Sequence, residues 1–228
     1  MIELKRDGEI FILRMDDNEN RFSPDSVAEW NRLLDEVEGE EGAVALVTTG
    51  TEKFYSNGLD LDFMMSEEAD AGDYLASVLA LLARVLTFPA VTVAAINGHA
   101  FGAGAQLAVA HDFAIMRADR GYFCMPELDM RVPLHPGMIA ILQARLPVRT
   151  CHEVVATARR YGGEDALTWG IVDAAVAADQ VIPTAVSRAR ELASKAHPVL
   201  RTIKRGLYPK VLEALEIPLD GAMREWEG

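Results

Sequence analysis

The chain has 228 residues, half of them hydrophobic, enough to bury one substantial core, and no stretch reads as a flexible linker between separate bodies. Its 35 acidic residues outnumber 22 lysines and arginines for a formal net charge of -13, so nucleic acid and anionic membrane surfaces would be repelled by most of its exterior. Cys124 and Cys151 stand far apart without CxxC or Cys/His spacing, and neither a leader pattern nor a run of about eighteen apolar residues occurs; the expectation is a soluble protein of the reducing cytoplasm with no zinc site.

In chain order, IELK (2–5) and EIFILRM (9–15) alternate apolar and polar residues around Asp7-Gly8, which predicts a β-hairpin turning on that pair. Ser23 and Pro24 suit an N-cap and first turn, and Val27, Trp30, Leu33, Leu34 and Val37 recur at helical spacing. AVALVTT (43–49) and VTVAAI (91–96) are β-rich runs without alternation, as in strands covered on both faces. A long apolar helix is predicted between them, from about Asp70 to Leu86. A small-residue helix near 103–111 then feeds a strand at DFAIMR (112–117) and a short extended stretch at YFCM (122–125). From about Gly137 onward the pattern is almost wholly helical, and no internal repeat or low-complexity tract interrupts it.

Three segments carry candidate chemistry. FYSNGLDL (54–61) places Asn57-Gly58 at a strand exit, where a turn can leave a backbone amide pointing outward. INGHAFGAGAQLAVAHD (96–112) uses Gly98, Gly102 and Gly104 to strip side chains from a strand-to-helix junction, exposing helix-start N–H groups suited to an anion or oxyanion. It is not a dinucleotide fingerprint, because Leu107 stands where the third glycine belongs, and it lacks the lysine of a P-loop. MPELDM (125–130) sets Glu127 after a proline at a strand end; on spacing alone such a carboxylate is more often solvated or ion-paired than catalytic.

These segments, in this order, resemble the crotonase superfamily, the enoyl-CoA hydratase/isomerase family, from residue 2 to at least residue 205. EDALTWGIVDAAV (164–176) and PVLRTIKRGL (198–207) are similar to later stretches of the family, and ENRFSP, FYSNGLDL and HDFAIMRADRGYFCMPELD look most like its monofunctional Δ3,Δ2-enoyl-CoA isomerases. The resemblance implies an α/β fold, a spiral of ββα units over residues 1–137 followed by a helical trimerisation region over 138–228, as one continuous unit. It implies a homotrimer or dimer of trimers acting on acyl-CoA, with CoA as part of the substrate and no metal or redox cofactor. The thioester oxygen would be held by the backbone amides of Leu59 and Ala103, with Glu127 as acid and base. Ser56, Asn57, Gly58, Gly102, Gly104, Gln106, His135 and Lys53 would line the substrate.

Hydratases of this family place two glutamates in the site. Here the first such position falls on Gln106, an amide that cannot act as a general base, so one carboxylate remains. One is enough to move a double bond by a position, removing a proton from one carbon and returning it two carbons away. The favoured reaction is therefore 3-enoyl-CoA to trans-2-enoyl-CoA. A 2-enoyl-CoA hydratase assisted by His135 or water is the alternative, and a non-catalytic acyl-CoA-binding protein the second. Met125 and Leu128 are expected to flank Glu127 and raise its pKa, and Asp129 to face away from it if the stretch is extended. Met64-Met65 with Leu75, Leu79 and Leu82 fit either an acyl channel or the core. Lys53, Lys195, Lys204, Arg205 and Lys210 are candidates for the CoA phosphates, whereas His99, His111 and Asp60 read as structural and Ser56 lacks a hydrolase context.

Overall fold

A computed structural model describes residues 1–67 and 69–219. The hairpin forms from β1 (Ile2–Asp7) and β2 (Ile10–Met15), but Asp7 pairs with Ile10, so the turn residues are Gly8 and Glu9 instead of Asp7-Gly8. The two-residue turn needs positive φ at its first position, and Gly8 supplies it at +63°. After β3 (Arg21–Phe22), Ser23 Oγ accepts the Ser26 N–H at 3.2 Å and caps α1 (Pro24–Glu38), whose five predicted apolar positions are all buried. Then come β4 (Ala45–Thr49), β5 (Phe54–Ser56), β6 (Gly58–Leu59), α2 (Leu61–Met64) and α3 (Ala71–Leu86), the last capped by Asp70. The next unit is β7 (Val91–Ile96), β8 (His99–Phe101) and α4 (Ala103–Ala110). A third comprises β9 (Phe113–Arg117), β10 (Phe123–Cys124), α5 (Glu127–Met130) and α6 (Pro136–Arg145).

Each unit gives one strand to a large sheet, ordered β1-β2-β4-β7-β9-β11, and one to a small parallel sheet, β10-β8-β5, so the chain winds as a spiral of ββα turns. β3 pairs in parallel with β6. The remainder is α7 (Val148–Thr157), α8 (Gly163–Thr168), β11 (Ala174–Val176), α9 (Val181–Leu192), α10 (Pro198–Leu207) and α11 (Pro209–Leu215). β11 corrects the wholly helical reading after Gly137: three small residues carry no periodicity, yet they pair in parallel with β9, and the Asp173 carboxylate accepts the Ala114 N–H at 2.7 Å. α9 packs on one face of the large sheet against Ile10, Val47, Val93 and Ile115. α1, α3 and α4 cover the other face in a larger core that includes Trp30, Leu82 and Leu107. Both faces are dry, which is why the central strands show no polar alternation. Among the described residues no helix is long and apolar enough to cross a membrane.

Candidate active site

The site is built where backbone packs directly on backbone. Gly58, after β5, is buried at φ +83°. A Cβ there would lie 2.7 Å from the Phe101 carbonyl oxygen and 2.8 Å from the Ala103 nitrogen, and a Cβ on Gly104 would lie 2.3 Å from the Ser56 carbonyl oxygen. No side chain fits at either position, so the turn between β5 and β6 is clamped against the junction of β8 and α4. Gly102 bends that junction at φ +52°, and α4 starts at Ala103 with no side chain capping its amides. The first N–H groups of a helix have no intrahelical acceptor and carry the positive end of its dipole.

Hydrogen bonds hold the first turn rigid. Ser56 Oγ donates to the Asn20 carbonyl at 2.7 Å and accepts the Gly58 N–H at 3.1 Å. Asn20 Nδ2 reaches the Phe54 and Tyr55 carbonyls at 3.1 and 3.2 Å. The Tyr74 hydroxyl donates to the Phe22 carbonyl at 2.5 Å and accepts the Asp60 N–H at 2.8 Å, while Asp60 caps α2.

A cavity of about 310 Å³ opens beside these turns. Its wall brings together Asn57, Leu59, Gly102, Ala103 and Glu127 with the apolar side chains of Leu61, Phe101, Met130, Val132 and Met138. Glu127 is its one carboxylate among the described residues. A Cβ on Gly102 would meet Glu127 Oε1 at 3.4 Å, so the carboxyl lies over the start of α4. Oε2 is buried with no hydrogen-bond partner among the described residues, and burial pushes the carboxyl up to about 7, opposed only by a backbone hydrogen bond. A group with that pKa is populated at neutral pH both as a base and as a proton donor.

The stretch around Glu127 is a helical turn, α5, so the alternation expected to turn Asp129 away does not apply; Asp129 is exposed because its turn faces solvent. Leu128 is 55% exposed and does not shield Glu127 as anticipated; the cavity wall does.

Other anticipated residues fall off the wall. Ser56, Gly58 and Gly104 form the clamp behind it. Gln106 is fully buried, with Nε2 at 3.9 Å from Met125 Sδ and Oε1 unpartnered among the described residues. His135 caps α6, its Nδ1 accepting the Gly137 N–H at 3.1 Å while Nε2 lies 2.9 Å from the Ile217 carbonyl oxygen. Lys53 is exposed, 5.1 Å from the Phe54 ring centroid.

Lys204 is corrected as a phosphate contact: it is buried, bonded to Asp112 at 2.6 Å and the Ala90 carbonyl at 3.1 Å. Lys195, Arg205 and Lys210 are exposed and do not line this cavity. Leu75, Leu79 and Leu82 belong to the core and Met65 is 77% exposed, and neither they nor Met64 line the cavity. His111 is structural as anticipated, with Thr48 Oγ1 at 2.9 Å and the Leu107 carbonyl at 2.7 Å, and burial pulls it down to about 4.

Arg21 and Arg160 also reach the wall. The first sits in the ENRFSP segment; nothing local in the sequence marks the second. A larger cleft of about 1020 Å³ lies between α3 and the C-terminal helices, but Arg84 and Arg201 there are ion-paired to Glu38, and none of the amide-bearing turns faces it.

The enoyl-CoA hydratase/isomerase family profile matches residues 5–222. Enoyl-CoA delta isomerase 3 of Arabidopsis thaliana is 34% identical over 229 residues, 95% of this chain and 96% of that protein. The peroxisomal enoyl-CoA delta isomerase 2 of the same plant is 32% identical, covering 92% and 93%. Among solved structures, the apo enoyl-CoA isomerase of Mycobacterium tuberculosis matches with a TM-score of 0.88 at 25% identity over 98% of both chains. Human mitochondrial Δ3-Δ2-enoyl-CoA isomerase shares the fold at a TM-score of 0.85 and 22% identity, over 94% of this chain and 85% of that one. With the crotonase fold in place and the family profile spanning nearly its whole length, this chain belongs to the enoyl-CoA hydratase/isomerase family of enzymes.

Proposed function

We propose that the enzyme converts a 3-enoyl-CoA into the trans-2-enoyl-CoA. Ionised Glu127 takes a proton from C2, and the electron pair moves onto the thioester oxygen to give a dienolate. Glu127 then returns the proton to C4, and the double bond comes to rest between C2 and C3. The amides of Leu59 and Ala103 hold the oxygen on which charge develops, and donors fixed by packed glycines need no reorganisation as that charge appears. No oxidation state changes in this scheme, so it calls for no redox cofactor, and CoA enters with the substrate.

The observation that carries the reading is a single carboxyl, one oxygen of which is buried without a partner among the described residues and whose pKa burial pushes up to about 7, on a cavity whose wall has no second acid among the described residues. Similarity to the two Arabidopsis isomerases supports the same choice. The trimer, or dimer of trimers, built through the region after residue 138 is part of this proposal; Val199, Ile203 and Leu207 leave an exposed apolar stripe on α10 that fits such burial. Two free, buried cysteines suit a reducing compartment such as the cytoplasm.

Product analysis tests the reaction: 3-hexenoyl-CoA is expected to yield trans-2-hexenoyl-CoA. Conversion of crotonyl-CoA to 3-hydroxybutyryl-CoA without isomerisation would make the enzyme a hydratase. Acyl-CoA binding with no turnover of either ester would make it a silent binder.

A further inference from the structure

The two arginines of the cavity wall stand in opposite situations. Arg21 is held by Glu19 at 2.8 Å and Asp62 at 2.7 Å. Arg160 is exposed and has no ion pair among the described residues, in a chain where acids outnumber bases 35 to 22. Its sequence neighbour takes the other course: Arg159 bonds Glu153 at 2.9 Å and Asp165 at 3.0 Å.

Backbone fixes where Arg160 stands. Paired hydrogen bonds of 2.9 Å between Tyr161 and Phe123 join its segment to the edge of β10, and its guanidinium lies 5.7 Å from the centroid of the Phe101 ring. Burial pushes the Cys124 thiol up; Arg160 opposes that rise and Glu127 adds to it, so both charges are felt at one residue of the wall. The guanidinium and the reacting carboxyl both stand on the wall of one cavity. His99 lies 5.0 Å from the Phe101 ring and is lowered by burial, with Lys53, Arg120 and Arg160 adding in the same sense.

We propose that Arg160 selects the acyl group: the cavity takes a short enoyl thioester whose far end bears a carboxylate, gripped by this guanidinium. The proposal rests on the acyl-CoA reading of the cavity given above. A guanidinium presents paired donors that match the two oxygens of a carboxylate, and the Phe101 ring beneath it limits its freedom. The anion is assigned to the acyl chain and not to a CoA phosphate because Arg160 shares with Glu127 a space of about 310 Å³, too small for a nucleotide beside the reacting carbons.

Binding of unreactive saturated esters tests this without relying on turnover. The full-length enzyme is expected to bind adipoyl-CoA about tenfold or more tightly than hexanoyl-CoA at low salt. Arg160→Met should bring that ratio close to one, and Arg160→Lys should restore part of it. A wild-type ratio of one or less overturns the proposal. So does an equal loss for both esters in Arg160→Met, which would move the contact to the CoA handle. Failure to isomerise both 3-hexenoyl-CoA and its ω-carboxyl analogue would instead sink the isomerase reading while leaving the adipoyl preference measurable.

Discussion

The two ends of α4 hold two carboxyls that the fold treats in opposite ways. Asp112, just past the C-terminal end, lies by the negative pole of the helix and is held through one oxygen, Oδ2: Lys204 lies 2.6 Å away, and the Thr92 N–H and hydroxyl donate at 2.8 and 3.2 Å. Glu127, over the N-terminal end, has the favourable pole beside it and yet keeps one buried oxygen without a partner among the described residues. A helix end favours an adjacent charge by about 0.3–1 kcal/mol. A rise from 4.5 to about 7 corresponds to roughly 3 kcal/mol against the ionised form, so burial outweighs the dipole at Glu127. A satisfied acid serves the architecture; an unsatisfied one is left free to exchange a proton.

The sharpest way to break this contrast is Glu127→Gln, which keeps the shape and removes the proton carrier. Turnover of 3-hexenoyl-CoA is expected to fall by about 10⁴, the upper range for acid–base catalysis, because one group makes both transfers; retained adipoyl- or hexanoyl-CoA binding would show that the site is intact.

At the opposite end, Lys204→Met leaves Asp112 without its cation and should lower unfolding stability by about 3–5 kcal/mol in chemical denaturation. Adding Asp112→Asn should recover part of that loss, which a merely volumetric defect would not do.

Ala103→Pro addresses the helix start itself. Proline is tolerated at the first helical position and replaces the N–H with a ring carbon, so kcat for 3-hexenoyl-CoA is expected to drop at least about 10²–10³-fold. An unchanged kcat would remove Ala103 from the oxyanion contact.

The smallest effect concerns pH. Glu127 is protonated in the folded state up to about 7 but only to about 4.5 when unfolded, so its contribution to stability is neutral below 4.5 and declines as pH rises from 4.5 to 7. Above that the loss is complete at about 3 kcal/mol or less. Glu127→Gln should therefore melt above the wild type at pH 8 and alongside it at pH 4. In the same range kcat/KM should climb through a midpoint near 7 as the base ionises.

Much of this site could be seen in the residues. Gly58, Gly102 and Gly104 marked the two turns because only glycine permits that backbone proximity, whereas the spacing around Glu127 favoured a solvated carboxylate and only the family resemblance gave it a role. What escaped were long-range partners. Asn20 braces a turn 35 residues later in the chain, and Arg160 reaches the cavity only because Tyr161 zips to β10. Gln106 and Ser56 were expected against the ligand, but helix packing and the Asn20 carbonyl draw them inward. Lys204 looked like one more surface cation until α10 laid it over Asp112.

By itself the sequence determined the succession of strands and helices, the inward face of α1 and the two glycine turns, because periodicity, capping and the absence of Cβ atoms act over a few neighbouring residues. Only the tertiary structure decided which charges would be neutralised and which left exposed to a cavity. Desolvation and ion pairing depend on what the folded chain brings alongside a group, and a carboxyl such as Glu127 carries no local sign of that environment.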